Sequence, residues 1–371
     1  MKTAKTIITE LFKSVGITVN GTKPFDITVH NDAFYKQVLA DGSLGLGESY
    51  MAGHWDCKHL DQFFDVLCQS GIQKSKHAKT DLLGPFLISK FTNMQDKKKS
   101  LNVAEEHYNL GNDFYENMLD KHMQYTCAYW DNAKNLQEAQ DNKLDLVCRK
   151  IGLKKGDTVL ELGSGWGGFA RFAANNYGAK VTCYNISKEQ VAYAIKHNKG
   201  LPIQTNQKDY RDATGVFDHV VSIGLMEHVG HKNFDAFFNQ VQKHLRPNGL
   251  FLLHTIGANV GARSTEPWIA KYIFQGGYLP SLVQLTEASE GKFILEDVHV
   301  MGASYDKTLM SWYEQYKQNW TKYEMKYPKH FERMWDYYLL SCVGSFRARN
   351  ITLWQFVFSP KGVRGGYESV R

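Results

Sequence analysis

The chain has few of the features that mark secreted or membrane-spanning proteins. Its six cysteines are scattered along 371 residues without a CxxC pair, and Met1–Phe12 mixes charged and apolar side chains, unlike a secretory signal. No apolar run approaches the ~18–20 residues that a transmembrane helix needs. We therefore expect a cytoplasmic protein with reduced thiols, which would reach any membrane lipid from the surface.

A strong excess of charge is also missing, since the formal net charge is +6 and the pI is about 8.8. Lysines cluster at Lys74–Lys79 and Lys97–Lys99, which suits an anionic surface such as phospholipid headgroups or nucleic acid, or simply a solvated linker. Aromatic residues are abundant, at 13%, and concentrate after residue 266. This composition favours an apolar cavity or lipid contact, so no nucleic-acid partner is expected.

A glycine-rich turn at Val159–Gly168 is the most informative stretch of the chain. An apolar run ends in Glu161, and four glycines follow closely. Gly163 and Gly165 can adopt positive φ and let a flat ligand lie against the backbone, while a helix begins after Gly167. No lysine follows the glycines as a phosphate-binding loop requires, so the turn is typical of S-adenosylmethionine sites in Rossmann-like methyltransferases. The alternative is a tight turn that binds nothing.

Sequence periodicity predicts a small mixed α+β domain at residues 1–90, a basic linker at 91–102 and a Rossmann-like α/β domain at 103–371. The first domain contains no catalytic constellation, and we expect it to make lipid-surface or dimer contacts. An apolar helical stripe between Leu83 and Met94 indicates either a membrane-touching helix or a helix packed on its own domain.

The alternation of helices and strands after residue 101 predicts a mostly parallel sheet with helices on both faces. Helix Leu136–Ile151 precedes the sheet, and the turn Arg246–Gly249 precedes its fifth strand. Ligands in such sheets lie beyond the carboxyl ends of the strands, near the switch in strand order. The five strands are predicted at Thr158–Leu162, Lys180–Tyr184, Pro202–Gln207, Phe217–Ile223 and Gly249–Ile256.

Titratable side chains stand at the ends of the fourth and fifth predicted strands. Glu227 and His228 follow the fourth strand, and His254 lies near the end of the fifth. The aromatic segment Tyr125–Trp130 surrounds Cys127 and could close over the same crevice. A helix-capping acid and a core histidine are the simpler interpretations, but two titratable groups at neighbouring strand ends beside a cofactor turn favour a site.

Several motifs, in order along almost the whole chain, resemble those of the bacterial cyclopropane-fatty-acyl-phospholipid synthases. The resemblance implies a Rossmann-like methyltransferase that transfers the methyl of S-adenosylmethionine to the cis double bond of an acyl chain in a membrane phospholipid, forming a cyclopropane ring. It also implies a homodimer and a peripheral association with the inner face of the membrane. The motifs are Glu106–Tyr115, Tyr125–Trp130, Glu161–Gly168, Met226–Gly230, His254–Gly257, Gly302–Asp306 and Ser345–Ile351.

The resemblance further implies a bound bicarbonate that acts as the general base, and no metal is expected. A base is needed because attack by an alkene on a sulfonium methyl leaves a cation that must lose a proton from the arriving carbon. By resemblance, the bicarbonate ligands are the side chains of Glu227, His254 and Tyr305, with Cys127 and Ile256 contributing chiefly backbone groups. Glu227 could accept a hydrogen bond from the bicarbonate hydroxyl, while N–H and O–H donors hold its other oxygens.

The expected cofactor contacts come from the glycine turn, from the aromatic segment and from the ends of the second and third strands. They are Gly163, Gly165 and Gly167 in the turn, Tyr125 and Thr126 over the methionine end, Gln190 at the ribose, and Tyr210 and Arg211 near the adenine.

Three positions depart from the patterns of related enzymes. The turn carries Glu161 where the family often has aspartate, and Ser164 where it often has cysteine. Both changes are mild, because glutamate keeps the charge and serine is small. The second strand ends at Asn185 and lacks the ribose-binding acid of other methyltransferases, so Gln190 carries more of the ribose prediction.

Some alternatives stay open at the level of sequence. A related enzyme that methylates an amine, or an unsaturated lipid without ring closure, would share these motifs, and so would a lipid-binding protein that lost the chemistry. Cys342 is either a nucleophile or, more simply, a small packing residue. Arg347 and Arg349 could meet a lipid phosphate or pair with acids of the same fold.

Overall fold

The computed structural model describes residues 2–71, 110–259 and 263–371. The predicted linker at 91–102, the stripe between Leu83 and Met94 and both lysine clusters lie outside the described residues. The predicted division at residues 91–102 therefore stays a prediction.

The helices and strands have the following bounds. The helices are α1 (Ala4–Ser14), α2 (Ala33–Met51), α3 (Leu60–Gln69), α4 (Asn112–Glu116), α5 (Leu136–Lys150), α6 (Gly168–Tyr177), α7 (Lys188–His197), α8 (Phe234–His244), α9 (Pro267–Tyr272), α10 (Leu282–Ser289), α11 (Gly302–Asn319) and α12 (Phe331–Arg347). The strands are β1 (Ile27–Val29), β2 (Trp55–Cys57), β3 (Thr158–Leu162), β4 (Lys180–Asn185), β5 (Ile203–Gln207), β6 (Phe217–Ile223), β7 (Leu245–Gly257), β8 (Arg263–Ser264), β9 (Tyr278–Leu279), β10 (Ile294–Val300) and β11 (Thr352–Ser359). Short 3₁₀ turns lie at Tyr210–Asp212, Met226–His228, His231–Asn233, Trp320–Lys322 and Glu324–Lys326.

The described residues form two compact units. The first takes its residues from Met1–Thr92, Ser264–Gln275 and Tyr305–Ile351, and the second from Asn93–Arg263, Gly276–Ser304 and Thr352–Arg371. The first unit thus includes more of the chain than residues 1–90. No helix in the described ranges is long and apolar enough to cross a bilayer.

The first unit is mostly helical and has an aromatic core. Its two short strands, β1 and β2, pair antiparallel. The indole of Trp55, in β2, is fully buried and lies 5.3 Å from the ring of Phe63 and 5.0 Å from that of Tyr50. Arg333, in α12, donates to the backbone oxygens of Tyr50 and Trp55 and covers the Tyr50 ring at 4.0 Å. This arginine therefore joins α12 to the end of α2 and to β2.

The first unit bears on two alternatives that the sequence left open. Arg347 makes a bidentate ion pair with Asp306, at 2.9 and 3.0 Å, and a further one with Asp61 at 2.7 Å, so it pairs with acids of its own fold. Burial raises the pKa of the Cys342 thiol to about 12. A thiol held in its protonated form is a poor nucleophile, which supports the packing interpretation.

The second unit contains a seven-stranded sheet with the order β10-β11-β7-β6-β3-β4-β5. Strands β3 to β7 are parallel, and β10 and β11 add an antiparallel edge. Apolar clusters cover both faces, with α5 and α6 on one face and α8 and α10 on the other. The predicted Rossmann-like α/β class is confirmed. Strand order reverses between β3 and β6, and this switch point positions the site described below.

The predicted strands of the sheet agree closely with the structure, but the predicted turn Arg246–Gly249 is wrong. These residues lie inside β7, because β7 bulges there: Phe217 pairs with Leu245, while His219 pairs with Leu250. Asp218, the single residue of β6 opposite the bulge, forms an ion pair with Arg246. The turn-like sequence Arg246–Gly249 therefore forms a β-bulge within the strand.

Gly344 allows α12 and α3 to approach closely, which gives a stability prediction. A Cβ at this position would lie 2.4 Å from the Phe64 Cβ and 2.6 Å from the Asp65 backbone nitrogen. Alanine normally stabilises a helix relative to glycine by about 1 kcal/mol. We expect Gly344→Ala to destabilise instead, by about 1–3 kcal/mol, because backbone atoms of α3 must move.

Urea unfolding monitored by circular dichroism tests this expectation. Ser341→Ala, one turn earlier in α12, is the matched control and should change the free energy of unfolding by less than about 0.5 kcal/mol. A Gly344→Ala protein as stable as the wild type would show that the two helices are not closely packed.

Candidate functional site

The glycine turn joins the end of β3 to the start of α6. Gly163 and Gly165 have φ of +78° and +50°, so both occupy the left-handed region that favours glycine. A Cβ on Gly163 would lie 2.9 Å from the Leu225 Cβ, whereas a Cβ on Gly165 would meet nothing within 4 Å. The turn is therefore tight at Gly163 and open toward a cavity at Gly165.

The next two glycines, Gly167 and Gly168, allow the start of α6 to form and to pack closely against the preceding segment of the chain. Gly167 precedes the first residue of α6 and has a φ of +74°. A Cβ on Gly168 would lie 2.1 Å from the His122 carbonyl oxygen, so the segment before Tyr125 runs directly against the start of α6. Gly167 does not line the cavity, unlike the other two predicted glycines.

A cavity opens beyond the carboxyl ends of β3, β4 and β6, at the switch in strand order. It brings together most of the residues predicted to bind the cofactor. The predicted residues that line it are Tyr125, Thr126, Gly163, Gly165, Gln190, Tyr210 and Arg211. The other lining residues include Met123, Gln124, Glu161, Ser164, Trp166, Asn185, Lys208, Asp209, Leu225 and His228.

An amide pair occupies the end of β4, where the sequence lacks an acid. The Asn185 side-chain nitrogen donates to the Gln190 side-chain oxygen at 2.8 Å and to the Gly165 carbonyl at 3.0 Å. Gln190 is thereby fixed, with its amide nitrogen as the remaining polar group. Asn185 links the glycine turn to α7, a role that the sequence did not reveal.

A second anchored group follows β5. Asp209 accepts from the Arg211 backbone and makes a bidentate pair with its guanidinium, at 2.7 and 2.9 Å. The guanidinium lies 5.2 Å from the centre of the Tyr210 ring. The predicted pair Tyr210 and Arg211 is therefore held by Asp209, which is buried at the base of the turn.

Helix α5 holds the cavity wall formed by residues 124–126. The Lys143 ammonium is fully buried and donates to the Gln124 side-chain oxygen and, at 3.0 Å, to the Thr126 hydroxyl. Gln140 donates to the backbone oxygen of Thr126 at 2.9 Å. Burial lowers the pKa of Lys143 to about 8. Gln140 and Lys143 lie three residues apart on the buried face of the predicted helix. That spacing was the sequence signal for the contact between α5 and residues 124–126.

Glu161 is buried at the end of β3. It accepts a hydrogen bond from the Cys183 thiol at 3.4 Å, across the β3–β4 pair. Burial raises the pKa of Glu161 to about 8. The low-polarity surroundings favour the neutral acid, so the expectation that glutamate keeps the charge at this position stays a prediction.

The predicted acid Glu227 contacts β7, the strand that contains the predicted histidine His254. One Glu227 carboxylate oxygen accepts from the Ile256 N–H at 2.6 Å. The other, Oε2, is buried without a hydrogen-bond partner among the described residues. Burial raises the pKa of Glu227 to about 7. The Ile256 N–H is thus already engaged by Glu227, which reduces what this backbone group can offer an anion.

His254 lies two residues before Ile256 and is 1% exposed. Its Nδ1 lies 3.2 Å from the Gln355 amide nitrogen, and its Nε2 is buried without a partner within the described ranges. Burial lowers the pKa of His254 well below its usual value, so the ring is neutral. An unpartnered nitrogen and an unpartnered carboxylate oxygen thus stand at neighbouring strand ends.

The remaining predicted residues, Cys127 and Tyr305, belong to different units. The Cys127 thiol is buried and donates to the Ala128 carbonyl at 3.2 Å. Tyr305 is in the first unit, where its buried ring lies 4.4 Å from that of Phe346. Their predicted roles around an anion stay predictions. Among the described residues, no group of three His, Cys, Asp or Glu is arranged to hold a metal.

Known proteins resemble this chain in both sequence and structure. The model of the mycolic acid cyclopropane synthetase family matches residues 95–356. The cyclopropane-fatty-acyl-phospholipid synthase of Escherichia coli strain K12 is 47% identical over 98% of this chain and 95% of that protein.

Two solved structures share the fold at appreciable identity. The cyclopropane synthase MmaA2 from Mycobacterium tuberculosis is 29% identical, with a TM-score of 0.66 over 72% of this chain and 99% of that one. The mycolic acid cyclopropane synthase CmaA1, solved with S-adenosylhomocysteine and CTAB, is 30% identical. Its TM-score is 0.64, over 70% of this chain and 97% of that one. Together with the family match, these similarities show that the chain belongs to the mycolic acid cyclopropane synthetase family of S-adenosylmethionine-dependent methyltransferases.

Proposed function

We propose that this protein transfers the methyl of S-adenosylmethionine to the cis double bond of an unsaturated acyl chain in a membrane phospholipid. The products are a cyclopropane ring and S-adenosylhomocysteine. The observation that carries the proposal is the end-to-end similarity, at 47% identity, to a cyclopropane-fatty-acyl-phospholipid synthase. The cavity at the switch point and the two unpartnered polar atoms at neighbouring strand ends support that chemistry.

The cavity fits S-adenosylmethionine by the chemistry of its lining. This cofactor, when bound, supplies an electrophilic methyl on a sulfonium. Gly165 leaves open space for a flat group, and Gln190 presents an amide suited to ribose hydroxyls. The planar pair of Tyr210 and Arg211 suits a purine. No lysine follows the glycines, which agrees with a ligand that lacks phosphate.

Glu227 and His254 fit a small anion that carries a hydroxyl. Glu227 Oε2 can accept a hydrogen bond, and His254 Nε2 can donate one when it is protonated. Bicarbonate offers one donor and several acceptors, and when bound it would supply the base that the reaction needs. Glu227 and His254 would hold it, with Tyr305, Cys127 and Ile256 as further proposed contacts.

The chain's own residues would supply orientation. The alkene attacks the methyl carbon, the carbon–sulfur bond breaks, and ring closure requires loss of a proton from the transferred carbon. Glu227 in its carboxylate form would accept a hydrogen bond from a hydroxyl donor and so fix the orientation of that donor. The buried, neutral His254 adds no positive charge, so it does not repel a cationic substrate.

The substrate class determines the proposed surroundings. Acyl chains of phospholipids lie in a bilayer, so we propose that the protein acts from the cytoplasm as a peripheral enzyme at the inner face of the membrane. By the same resemblance we propose a homodimer and no nucleic-acid partner.

An incubation experiment tests this function. The purified protein is mixed with vesicles of an unsaturated phospholipid and with S-adenosylmethionine that carries a ¹³C-labelled methyl. Mass spectrometric fragmentation and proton NMR should place the label in a ring on the acyl chain. A label on the headgroup, or on an acyl chain that contains no ring, would favour methylation without ring closure. Cofactor binding without any label in the lipid would contradict the proposed activity.

Lys143 gives a prediction about cofactor affinity. Lys143→Met removes the donor to Gln124 and Thr126, so the cavity wall loses its fixed side chains. We expect the Kd for S-adenosylmethionine to rise about 10-fold, from roughly 1.5 kcal/mol of lost hydrogen bonding. Calorimetric titration measures it. Lys134→Met, at an exposed lysine, is the control, and an unchanged Kd in Lys143→Met would exclude a role in the wall.

Glu227 gives a prediction about turnover. Glu227→Gln keeps the shape but replaces an acceptor with an amide, whose nitrogen would face a donor. We expect kcat to fall by about 10²–10³, with the Kd for S-adenosylmethionine within about twofold of wild type. Equal turnover in the variant and the wild type would refute the orienting role, and circular dichroism checks that the variant is folded.

The same residue gives a pH prediction. The pKa of Glu227 is raised by burial to about 7, so the required carboxylate is lost as the pH falls through 7. We expect kcat/KM, measured at constant bicarbonate concentration, to fall on the acid side with a midpoint near 7 rather than near 4.5. His254 does not titrate in this range, because its pKa lies well below its usual value. A rate that stays level down to pH 5.5 would contradict this assignment.

A further inference from the structure

We propose that Gln355 is a positioning residue that sets the tautomer of His254, so that Nδ1 accepts a hydrogen bond and Nε2 carries the proton. This inference rests on the proposed function for its catalytic meaning. The tautomer itself can be measured independently of any activity.

The sheet register places the two side chains together. His254 in β7 pairs with Gln355 in β11, and Gln355 pairs in turn with His299 in β10. On the other side, His254 pairs with Ile223, the last residue of β6. A row of polar side chains therefore crosses three adjacent strands and ends next to the strand that leads to Glu227.

Gln355 is completely buried. It stands in the segment Thr352–Ser359, in which every residue is buried. A buried amide in such a strand is costly unless it is hydrogen bonded. The contact between its nitrogen and His254 Nδ1, at 3.2 Å, is the bond that its side chain makes within the described residues.

The chemistry of the amide decides the direction of this bond. An amide nitrogen can only donate, so His254 Nδ1 must accept with its lone pair. A neutral imidazole with a lone pair on Nδ1 carries its proton on Nε2. Burial keeps the ring neutral, because it lowers the pKa of His254 well below its usual value.

The hydrogen bond from Gln355 therefore makes Nε2 of His254 a hydrogen-bond donor. Nε2 is buried and unpartnered among the described residues, as is Glu227 Oε2. An N–H group attracts an anion, whereas the lone pair of the other tautomer would repel it. Gln355 therefore gives His254 the donor character that the proposed bicarbonate site needs, without placing a positive charge there.

The other polar groups of the row leave the choice of tautomer to Gln355. Gln355 Oε1 and His299 Nδ1 are both buried without a partner in the described part of the chain. The reversed amide would present Oε1 to His254, which would move the proton to Nδ1 and leave a lone pair at Nε2. The measured tautomer therefore tests the proposal directly.

¹⁵N NMR of the full-length protein labelled at histidine tests the proposal first. The signals of His254 are identified by their loss in His254→Asn. We expect the directly attached proton on Nε2 and none on Nδ1, at neutral pH and without substrate. A proton on Nδ1 would overturn the proposal.

Gln355→Glu tests the consequence. A carboxylate accepts a hydrogen bond, so it should move the His254 proton to Nδ1 and lower kcat by about 10²-fold, with the Kd for S-adenosylmethionine within about twofold of wild type. Gln204→Glu, at an exposed glutamine of β5, is the matched control for the added charge and should leave both readouts unchanged. An unchanged tautomer or an unchanged kcat in Gln355→Glu would contradict the role of Gln355.

Gln355→Met covers the case in which the buried carboxylate prevents folding. The thioether imposes no tautomer, so we expect His254 to populate both forms and kcat to fall by less than in Gln355→Glu. A His254 tautomer that stays entirely on Nε2 in Gln355→Met would overturn the proposal. If the wild type forms no cyclopropane but shows the expected tautomer, the proposed function fails while the bond from Gln355 stands.

Discussion

The hydrogen bond from the Ile256 N–H to the Glu227 carboxylate is the interaction on which the candidate site depends. It ties the 3₁₀ turn after β6 to the end of β7, and so fixes an acid beside the histidine that precedes Ile256 by two residues. A buried carboxylate normally needs several donors, and here a backbone N–H serves one oxygen while the second has no partner within the described ranges. The sheet thus holds a buried acid with one oxygen bonded and the other without a partner among the described residues.

Helix α5 supports the site from one face of the sheet with polar side chains that it buries. Lys143 donates to neutral groups, an amide and a hydroxyl, whereas Lys150 pairs with Asp297 at 3.3 Å. Burial lowers the pKa of each lysine to about 8. Desolvation opposes the charge of both lysines. We therefore infer that they contribute fixed geometry to the site rather than net electrostatic stabilisation. A rigid wall beside the cavity is the result.

Local patterns in the sequence predicted the strands well, but long-range contacts decided the rest. Thr158–Leu162 and Phe217–Ile223 agree with the structure residue for residue, because continuous apolar runs mark buried parallel strands. Seven of the eight residues that were predicted to contact the cofactor likewise line the cavity. Gln355 could not be found in this way, since it is a polar residue in an otherwise largely apolar strand and its partner comes from a distant segment. Asp209 shows the intermediate case, because its neighbours were predicted and its bonding was not.

The pairing of β7 beyond the bulge holds the candidate site. Five consecutive pairs, from His219–Leu250 to Ile223–His254, join β6 to this part of β7. Leu252 and Ile223 belong to the apolar cluster covered by α5 and α6, so His254 lies on the same face of the sheet. These pairs, rather than the length of Arg246–Gly249, fix the direction of the imidazole. The bulge can therefore gain or lose a residue during evolution without turning His254 away from α5.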